Sequence, residues 1–451
     1  MAEINGQIFR EYDIRGIVGT DLTEETVLQI AAATGTYFQQ HGAQRIALGR
    51  DARGSSPLFR DLFVRGLNST GCSVLDVGMI PTGVLYFASF TKPVDAGVMI
   101  TGSHNPADYN GFKLLLGKNS LHGAQIQEIK QIALSNNFEK GTGNVEEYNI
   151  IAEYLDYVAE NVRMGDRRLK VVVDSGNGIG GIVGVPLYKR LGFDVIDIFT
   201  TPDARFPNHH PDPTVLENLQ HAIAKVRETK ADLAICFDGD ADRIGVVDER
   251  GGVLWGDELM VILSRAILNV QPGATFIADV KSSQRLFDDI EKRGGNAVMW
   301  KAGHSLIKTK MKETRAALAG EMSGHIFYED RWFGFDDAIY TGARLLEILT
   351  NGDKPVSEYL ADLPHAVSTP EIRTAVSEEK KFEIVRRLTE EFKKTNRVIE
   401  IDGARILFDK GWGLVRASNT QPILVSRYEA LDEASLKDIQ TTVEAKVREL
   451  S

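Results

Sequence analysis

Three times along this chain a short apolar run leads into a loop of small and polar residues, then into residues spaced for a helix, then into further apolar runs. In the first round Arg45–Gly49 reads as a strand, Leu58–Asn68 as a helix, and Ser73–Val77 and Val94–Ile100 as strands. The pattern restarts near Leu169. Lys170–Asp174 is a buried strand, Gly176–Gly181 a Gly-rich turn and Val183–Leu191 a helix, followed by strands at Asp194–Ile198, Asp232–Phe237 and Arg243–Asp248. A third round runs through the strand Phe276–Asp279, the helix Ser283–Arg293, and strands at Ala297–Trp300 and Ala316–Ala319. Strand–helix alternation of this kind predicts α/β units of related plan. The end of the chain differs. Glu379–Phe392 reads as a helix with Val385, Leu388 and Phe392 on one face, and short strands follow around Arg397–Ile401, Leu414–Ala417 and Ile423–Glu429. A final helix carries Leu436, Ile439, Val443, Val447 and Leu450 as one apolar stripe. The expected fold class is α/β: three related mixed α/β domains, at 1–150, 151–254 and 255–367, plus a smaller C-terminal α+β domain at 368–451.

A chain of 451 residues is too long for one core, consistent with several domains. Its 43% hydrophobic and 25% charged residues exclude a fibrous, disordered or low-complexity chain. No apolar run approaches the ~20 residues of a membrane-spanning helix, and Met1–Arg10 lacks the apolar stretch of a signal peptide. Two cysteines, Cys72 and Cys236, are too few for a disulfide framework, so a cytoplasmic protein is expected. The net charge of -11 argues against nucleic acid or an anionic membrane as partner. An anionic substrate would need positive charge gathered locally.

The loops at the strand ends carry the chemistry. At Asp238–Arg243 a buried strand ends in Asp238, Asp240 and Asp242, spaced only by Gly239 and Ala241. Three carboxylates so close repel one another unless a cation sits among them, and all-oxygen ligands favour a hard ion, Mg²⁺ first. An EF-hand does not fit, because Glu249 falls at the twelfth loop position only after an apolar strand. At Thr101–Pro106, Ser103 lies on a tight strand-end turn, a place for a nucleophile or for an ordinary turn serine. His104 beside it can be a turn residue or a base. The Gly-x-Ser-x-Gly elbow is absent, since Asn105 replaces the second glycine. In LAGEMSGH, Glu321, Ser323 and His325 alternate, an acceptor, a hydroxyl and an imidazole suited to sugar hydroxyls or to a plain polar loop. In VRASNTQP, Arg416, Ser418, Asn419 and Thr420 are donors with no acid within five residues of Arg416, the chemistry of a phosphate cradle or of a helix cap. Lys281, Lys301 and His304, with Arg10, Tyr12 and Arg15, bring further polar groups to strand ends. Gly176–Gly181 lacks the spacing of a dinucleotide fingerprint, so NAD is rejected.

In this order and over the whole length, TGSHNP, DGDADR, GEMSGH and RASNT resemble the loops of the α-D-phosphohexomutases. GEMSGH and RASNT, with RWFGFDD at Arg331–Asp337, look most like the bacterial phosphomannomutase/phosphoglucomutase branch. Ala302 and Gln421 stand where that branch more often has Thr. The resemblance implies four domains around a central cleft, each giving one loop. It implies a phosphoserine at Ser103, one Mg²⁺ held by Asp238, Asp240, Asp242 and the serine phosphate, and sugar recognition by Glu321 and Ser323. Phosphate would be held by Arg416, Ser418, Asn419 and Thr420. The family's catalytic region maps to Arg15, Lys113 and His304, with Arg243 beside the Asp loop, and Tyr12, Lys281 and His325 join the substrate contacts. The implied reaction interconverts hexose 1-phosphate and hexose 6-phosphate, of mannose and/or glucose, with glucose 1,6-bisphosphate as primer and the chain a monomer or homodimer. The alternatives are a phosphoglucosamine mutase and a metal-dependent sugar phosphatase.

Overall fold

The computed structural model describes residues 4–418 and 422–451. Asn419, Thr420 and Gln421 lie outside the described residues, so two of the expected phosphate-holding residues, Asn419 and Thr420, are not placed.

The repeated element order becomes a repeated topology. In each of the first three sheets one interior strand has parallel neighbours on both sides: Arg45–Arg50, Lys170–Asp174 and Thr275–Asp279. A parallel neighbour flanks it on one side, Ser73–Met79, Asp194–Ile198 or Asn296–Trp300. A second parallel strand flanks it on the other, Ala96–Ile100, Leu233–Phe237 or Leu318–Gly320. The chain then turns back antiparallel as Tyr109–Leu116, Ile244–Asp248 or Ile326–Tyr328. The Ser103, Asp238 and Glu321 loops are therefore the same hairpin of one plan. The strands that feed them are buried throughout, which is why they read as unbroken apolar runs. The fourth sheet is wholly antiparallel, and its hairpin between Gly411–Ala417 and Ile423–Ala430 bears Ser418.

The sequence reading leaves unmarked several helices of the first three units, among them Glu24–Gln40, Gly256–Val270 and Ala338–Asn351, and it differs again in this last sheet. Arg397–Ile401 contracts to Val398–Ile399, and Ala404–Phe408 and Ile372–Ala375 are strands that the apolar pattern did not mark. The reason at Ala404–Phe408 is Arg405, fully buried in mid-strand. Its guanidinium stacks 3.8 Å from the Trp412 ring and donates to the carbonyls of Val280 and Ser282, so a charged residue fills a core position. Val367–Ser368 pairs with Ile423–Ala430, so the fourth sheet begins at or before Val367 and the expected 367/368 boundary cuts a strand. One core runs from Ala47 to Val356 through all three α/β units, whereas the fourth buries its own around Leu388, Val415 and Val443.

Three units meet at Asp337. Its carboxyl accepts the Tyr340 N–H at the start of the helix Ala338–Asn351, and the Tyr154 hydroxyl donates to it at 2.9–3.0 Å. A Cβ on Gly83 would stand 2.6 Å from its Cγ. Burial pushes the Asp337 carboxyl up to about 7. The folded state then keeps a proton through a window in which the unfolded chain has lost it. Stability from this group is full below the unfolded value and is lost as pH rises toward about 7, by ~4 kcal/mol at the limit. Asp337→Asn keeps the cap and removes the titration. Its melting temperature should gain on that of the native protein between about pH 4 and about pH 7, as scanning calorimetry would show. A constant difference across that range would exclude the effect.

Candidate active site

The hairpin loops converge. Ser103, at the end of the strand Ala96–Ile100, adopts a left-handed φ of 48°, and its Oγ donates to Asp238 Oδ2 at 3.0 Å. The His104 Nδ1 lies 3.2 Å from Ser103 Oγ. Close approach explains Gly239: a Cβ there would collide with the Ser103 carbonyl. Ala241, at φ 56°, supplies the curl that turns the acids to one side.

Asp238, Asp240 and Asp242 are all fully buried, with carboxylate oxygens within 4.8 Å of one another. Asp238 Oδ1 accepts the N–H groups of Asp242 and Arg243, both at 3.1 Å. Asp240 Oδ2 accepts from Thr82 Oγ1 at 2.6 Å and from Lys113 Nζ at 2.8 Å, and Lys113 also pairs with Asp242. Burial, then Asp242 and Asp240, push the Asp238 carboxyl well above the usual carboxylate range. Burial works against Lys113, yet Asp240 and Asp242 outweigh it and hold its pKa well above normal. Burial likewise opposes ionisation of Asp240, but Lys113 more than offsets it. One lysine cannot neutralise the whole triad. Asp240 Oδ1 and Asp242 Oδ1 are buried without a hydrogen-bond partner. Unpartnered hard oxygens converging on one point fit a divalent cation.

Around this centre Arg243 Nε donates to His325 Nε2 at 2.9 Å, and His325 Nδ1 lies 2.9 Å from Asp336 Oδ2. His304 stacks on His325 with ring centroids 5.7 Å apart and lies equally far from the Tyr12 ring. Burial, then the Lys308 charge, lower the His304 pKa well below normal. Arg15 donates to Asn105 Oδ1 at 2.6 Å and pairs with Asp13.

Residues 301–305 link these groups to the other loops. The Tyr12 hydroxyl donates to the Ala302 carbonyl at 3.2 Å. The Gly303 N–H donates to Glu321 Oε1 at 2.6 Å, and the Ala302 N–H to Asp402 Oδ2 at 3.1 Å. Arg416 Nε donates to the same Asp402 oxygen at 3.0 Å. The guanidinium that sequence spacing left unpaired thus has a carboxylate partner, from the turn that precedes the strand Ala404–Phe408. Burial opposes the Arg416 charge, but Asp402 outweighs it. Lys281 sits 3.2 Å from Glu371 and 3.6 Å from Asp279. Glu321 is buried, which raises its pKa, and Ser323 is half-buried two residues on. The Ser418 carbonyl accepts from Lys381 Nζ at 2.6 Å.

Sequence reasoning missed Thr82, Asp336, Asp402 and Glu371. Asp336 was visible in RWFGFDD, but nothing local tied it to His325. A cavity of about 620 Å³ between Ile262, Arg265, Ile348 and Tyr359 holds none of these residues, and its Arg265 and Arg293 are already paired with Asp289 and Asp362.

Four family models match in chain order: the phosphoglucomutase/phosphomannomutase α/β/α domains I, II and III at 6–140, 152–252 and 255–367, and the C-terminal domain at 371–446. The chain belongs to the phosphoglucomutase/phosphomannomutase family. A phosphomannomutase/phosphoglucomutase of Pseudomonas aeruginosa is 46% identical over 96% of this chain and 94% of its own length. A phosphoglucomutase of Neisseria gonorrhoeae is also 46% identical, over 99% of this chain and 98% of its own. The crystal structure of a phosphoglucomutase/phosphomannomutase family protein from Burkholderia thailandensis superposes with a TM-score of 0.94 at 40% identity, covering 99% of this chain and 98% of that one. This phosphohexomutase is accordingly an enzyme of intramolecular phosphate transfer. Among its described residues no helix is long and apolar enough to cross a membrane.

Proposed function

We propose that the chain interconverts the 1- and 6-phosphates of mannose and/or glucose through a phosphoserine at Ser103 and a hexose 1,6-bisphosphate. The observation that carries this reading is the Ser103 hydroxyl standing 3.0 Å from a buried acid triad with unpartnered oxygens. Asp238, Asp240, Asp242 and the serine phosphate would hold one Mg²⁺. That ion would supply neutralisation of charge on the phosphoryl oxygens, the main demand of phosphoryl transfer. Arg243, beside the triad, adds a fixed positive charge.

The phosphoserine gives its phosphoryl group to O6 of a hexose 1-phosphate. The bisphosphate reorients, and the phosphate on O1 returns to Ser103. As the O6–P bond forms, the Ser103 Oγ–P bond breaks and Oγ takes up a proton, while the proton of the attacking hydroxyl needs an acceptor. Lys113 is held as an ammonium by Asp240 and Asp242, and Arg15 is a guanidinium, which leaves the imidazoles. His304, kept neutral by burial and by Lys308, is the base, and His325 orients it by stacking. Glu321 and Ser323 read sugar hydroxyls, with Lys281, Tyr12 and His325 alongside. Arg416 and Ser418, with Asn419 and Thr420, hold the phosphate that is not being transferred. That grip on a separate core suits a unit that must close and release.

Coupled assays on glucose 1-phosphate, mannose 1-phosphate and glucosamine 1-phosphate, with Mg²⁺ and glucose 1,6-bisphosphate, test the reading. Turnover of glucose and/or mannose substrates without matching release of inorganic phosphate is expected. Preference for glucosamine 1-phosphate, or phosphate release as fast as isomerisation, would replace it with one of the alternatives.

Arg416 gives a narrower test. Asp402 engages one edge of its guanidinium, and a hydrogen bond to a charged group is worth ~1.5–3 kcal/mol. Arg416→Ala should raise KM for the 1-phosphosugar roughly 10–100-fold and increase the activator requirement, because the intermediate escapes more often. Wild-type values of both in steady-state kinetics would remove Arg416 from the phosphate site.

A further inference from the structure

Arg53 lies beneath the Ser103 loop and is only 2% exposed. Its Nη2 donates to the carbonyls of Ser103 at 2.7 Å and Asn105 at 2.6 Å. Its Nη1 donates to those of Pro106 at 2.5 Å and Tyr109 at 2.9 Å. Its Nε lies 3.2 Å from Asp51 Oδ2, and that oxygen accepts the Gly102 N–H at 3.1 Å. Asp51 is braced in turn by the Ser56 hydroxyl at 2.6 Å and the Arg53 N–H at 3.0 Å. The Phe206 ring, from the second unit, stands 5.3 Å from the guanidinium carbon. We propose that Arg53 is a positioning residue, whose guanidinium gathers four carbonyls, three of the loop and that of Tyr109 at the start of the next strand, and so fixes where the Ser103 hydroxyl stands against the Asp triad.

The inference rests on Ser103 as the phosphorylated residue, and the physics is that of backbone accounting. Ser103, Asn105 and Pro106 lie in the loop and Tyr109 opens the strand that follows; the Pro106 carbonyl also accepts the Tyr109 N–H at 3.0 Å, and leaving such buried carbonyls unpaired is costly. One planar fork satisfies four at once, which an ammonium on a flexible stem cannot do. The Ser103 carbonyl is held between Arg53 on one side and the Gly239 backbone on the other. That clamp sets the offset between nucleophile and acids, and it holds Ser103 in its left-handed conformation. Gly102 belongs to the device, because a Cβ there would collide with the guanidinium.

Arg53→Lys and Gly102→Ala test the proposal, the second because it disturbs the fork while keeping the arginine. For each, kcat and KM would be measured at saturating Mg²⁺ and activator, with melting temperature. The rate of Ser103 phosphorylation by glucose 1,6-bisphosphate would be followed by intact mass. Misplacing the loop by about 1 Å should cost about 100-fold in kcat and in phosphorylation rate. KM for the 1-phosphosugar should stay within about threefold, because Arg53 touches none of the groups assigned to the substrate. Methylguanidinium should restore part of kcat to Arg53→Gly. Wild-type kcat in both variants, a loss confined to KM, or failure of methylguanidinium to restore a folded Arg53→Gly would overturn the role. Absence of phosphate from Ser103 in the wild-type protein would instead remove the nucleophile reading on which the role depends.

Discussion

Ser103→Ala is expected to lose roughly 10³-fold or more in kcat with saturating bisphosphate, and to show no phosphate on the Thr101–Pro106 peptide by mass spectrometry. Among the described residues, Ser103 Oγ is the side-chain hydroxyl that donates to Asp238, and its loop is clamped on both faces. The neighbouring candidates do not substitute. Thr82 Oγ1 donates to Asp240 from the start of the helix Thr82–Thr91, and Thr101 Oγ1 accepts the Ser103 N–H at 2.8 Å. Neither is placed on the hairpin tip. The variant should keep its melting temperature, since the lost hydroxyl makes no contact that the core depends on. Retention of more than a few per cent of activity would transfer the nucleophile elsewhere.

Asp240→Asn should cost roughly 10²–10³-fold in apparent Mg²⁺ affinity. Removing one partner from a buried charge cluster is worth ~3–5 kcal/mol, and each factor of ten is ~1.4 kcal/mol. Three close carboxylates repel one another, so the change weakens metal binding and slows catalysis while relieving repulsion in the metal-free loop. The structure adds a second effect. Asp240 is also the partner of Lys113 and Thr82, so the amide loosens the lysine from the triad while keeping the Thr82 hydrogen bond. The fold should persist, because Asp238 still braces the loop through the N–H groups of Asp242 and Arg243. Titration of activity with Mg²⁺ should give a curve displaced to higher concentration, with kcat partly recovered at saturation. An unchanged Mg²⁺ dependence would mean that Asp240 holds no metal.

How much of this was legible in the chain differs from loop to loop. The strands that feed Ser103, Asp238 and Glu321 are buried on both faces, so hydrophobicity alone marked them and the loops that end them. The acid triad declared itself because three like charges spaced by small residues have few other uses. The same rule, applied to the strand Arg45–Arg50, points at Asp51 and Arg53, but nothing in their spacing ties them to the Ser103 loop. Asp402 and Asp336 gave no local sign, because each meets its partner from a different element of its sheet.

The sequence by itself determined the three-fold repeat of element order, the hard-oxygen character of the Asp loop and the donor-rich character of Arg416–Ser418. Local spacing and hydrophobic burial act between neighbours along the chain, and a single sequence records them. Only the tertiary structure decided that Lys113 neutralises part of the triad, that Asp402 pairs Arg416, that Arg405 fills a core position, and that Arg53 holds the Ser103 loop. Each is a charged group buried against partners brought near by folding. The sign and size of its effect depend on distances that spacing along the chain does not contain.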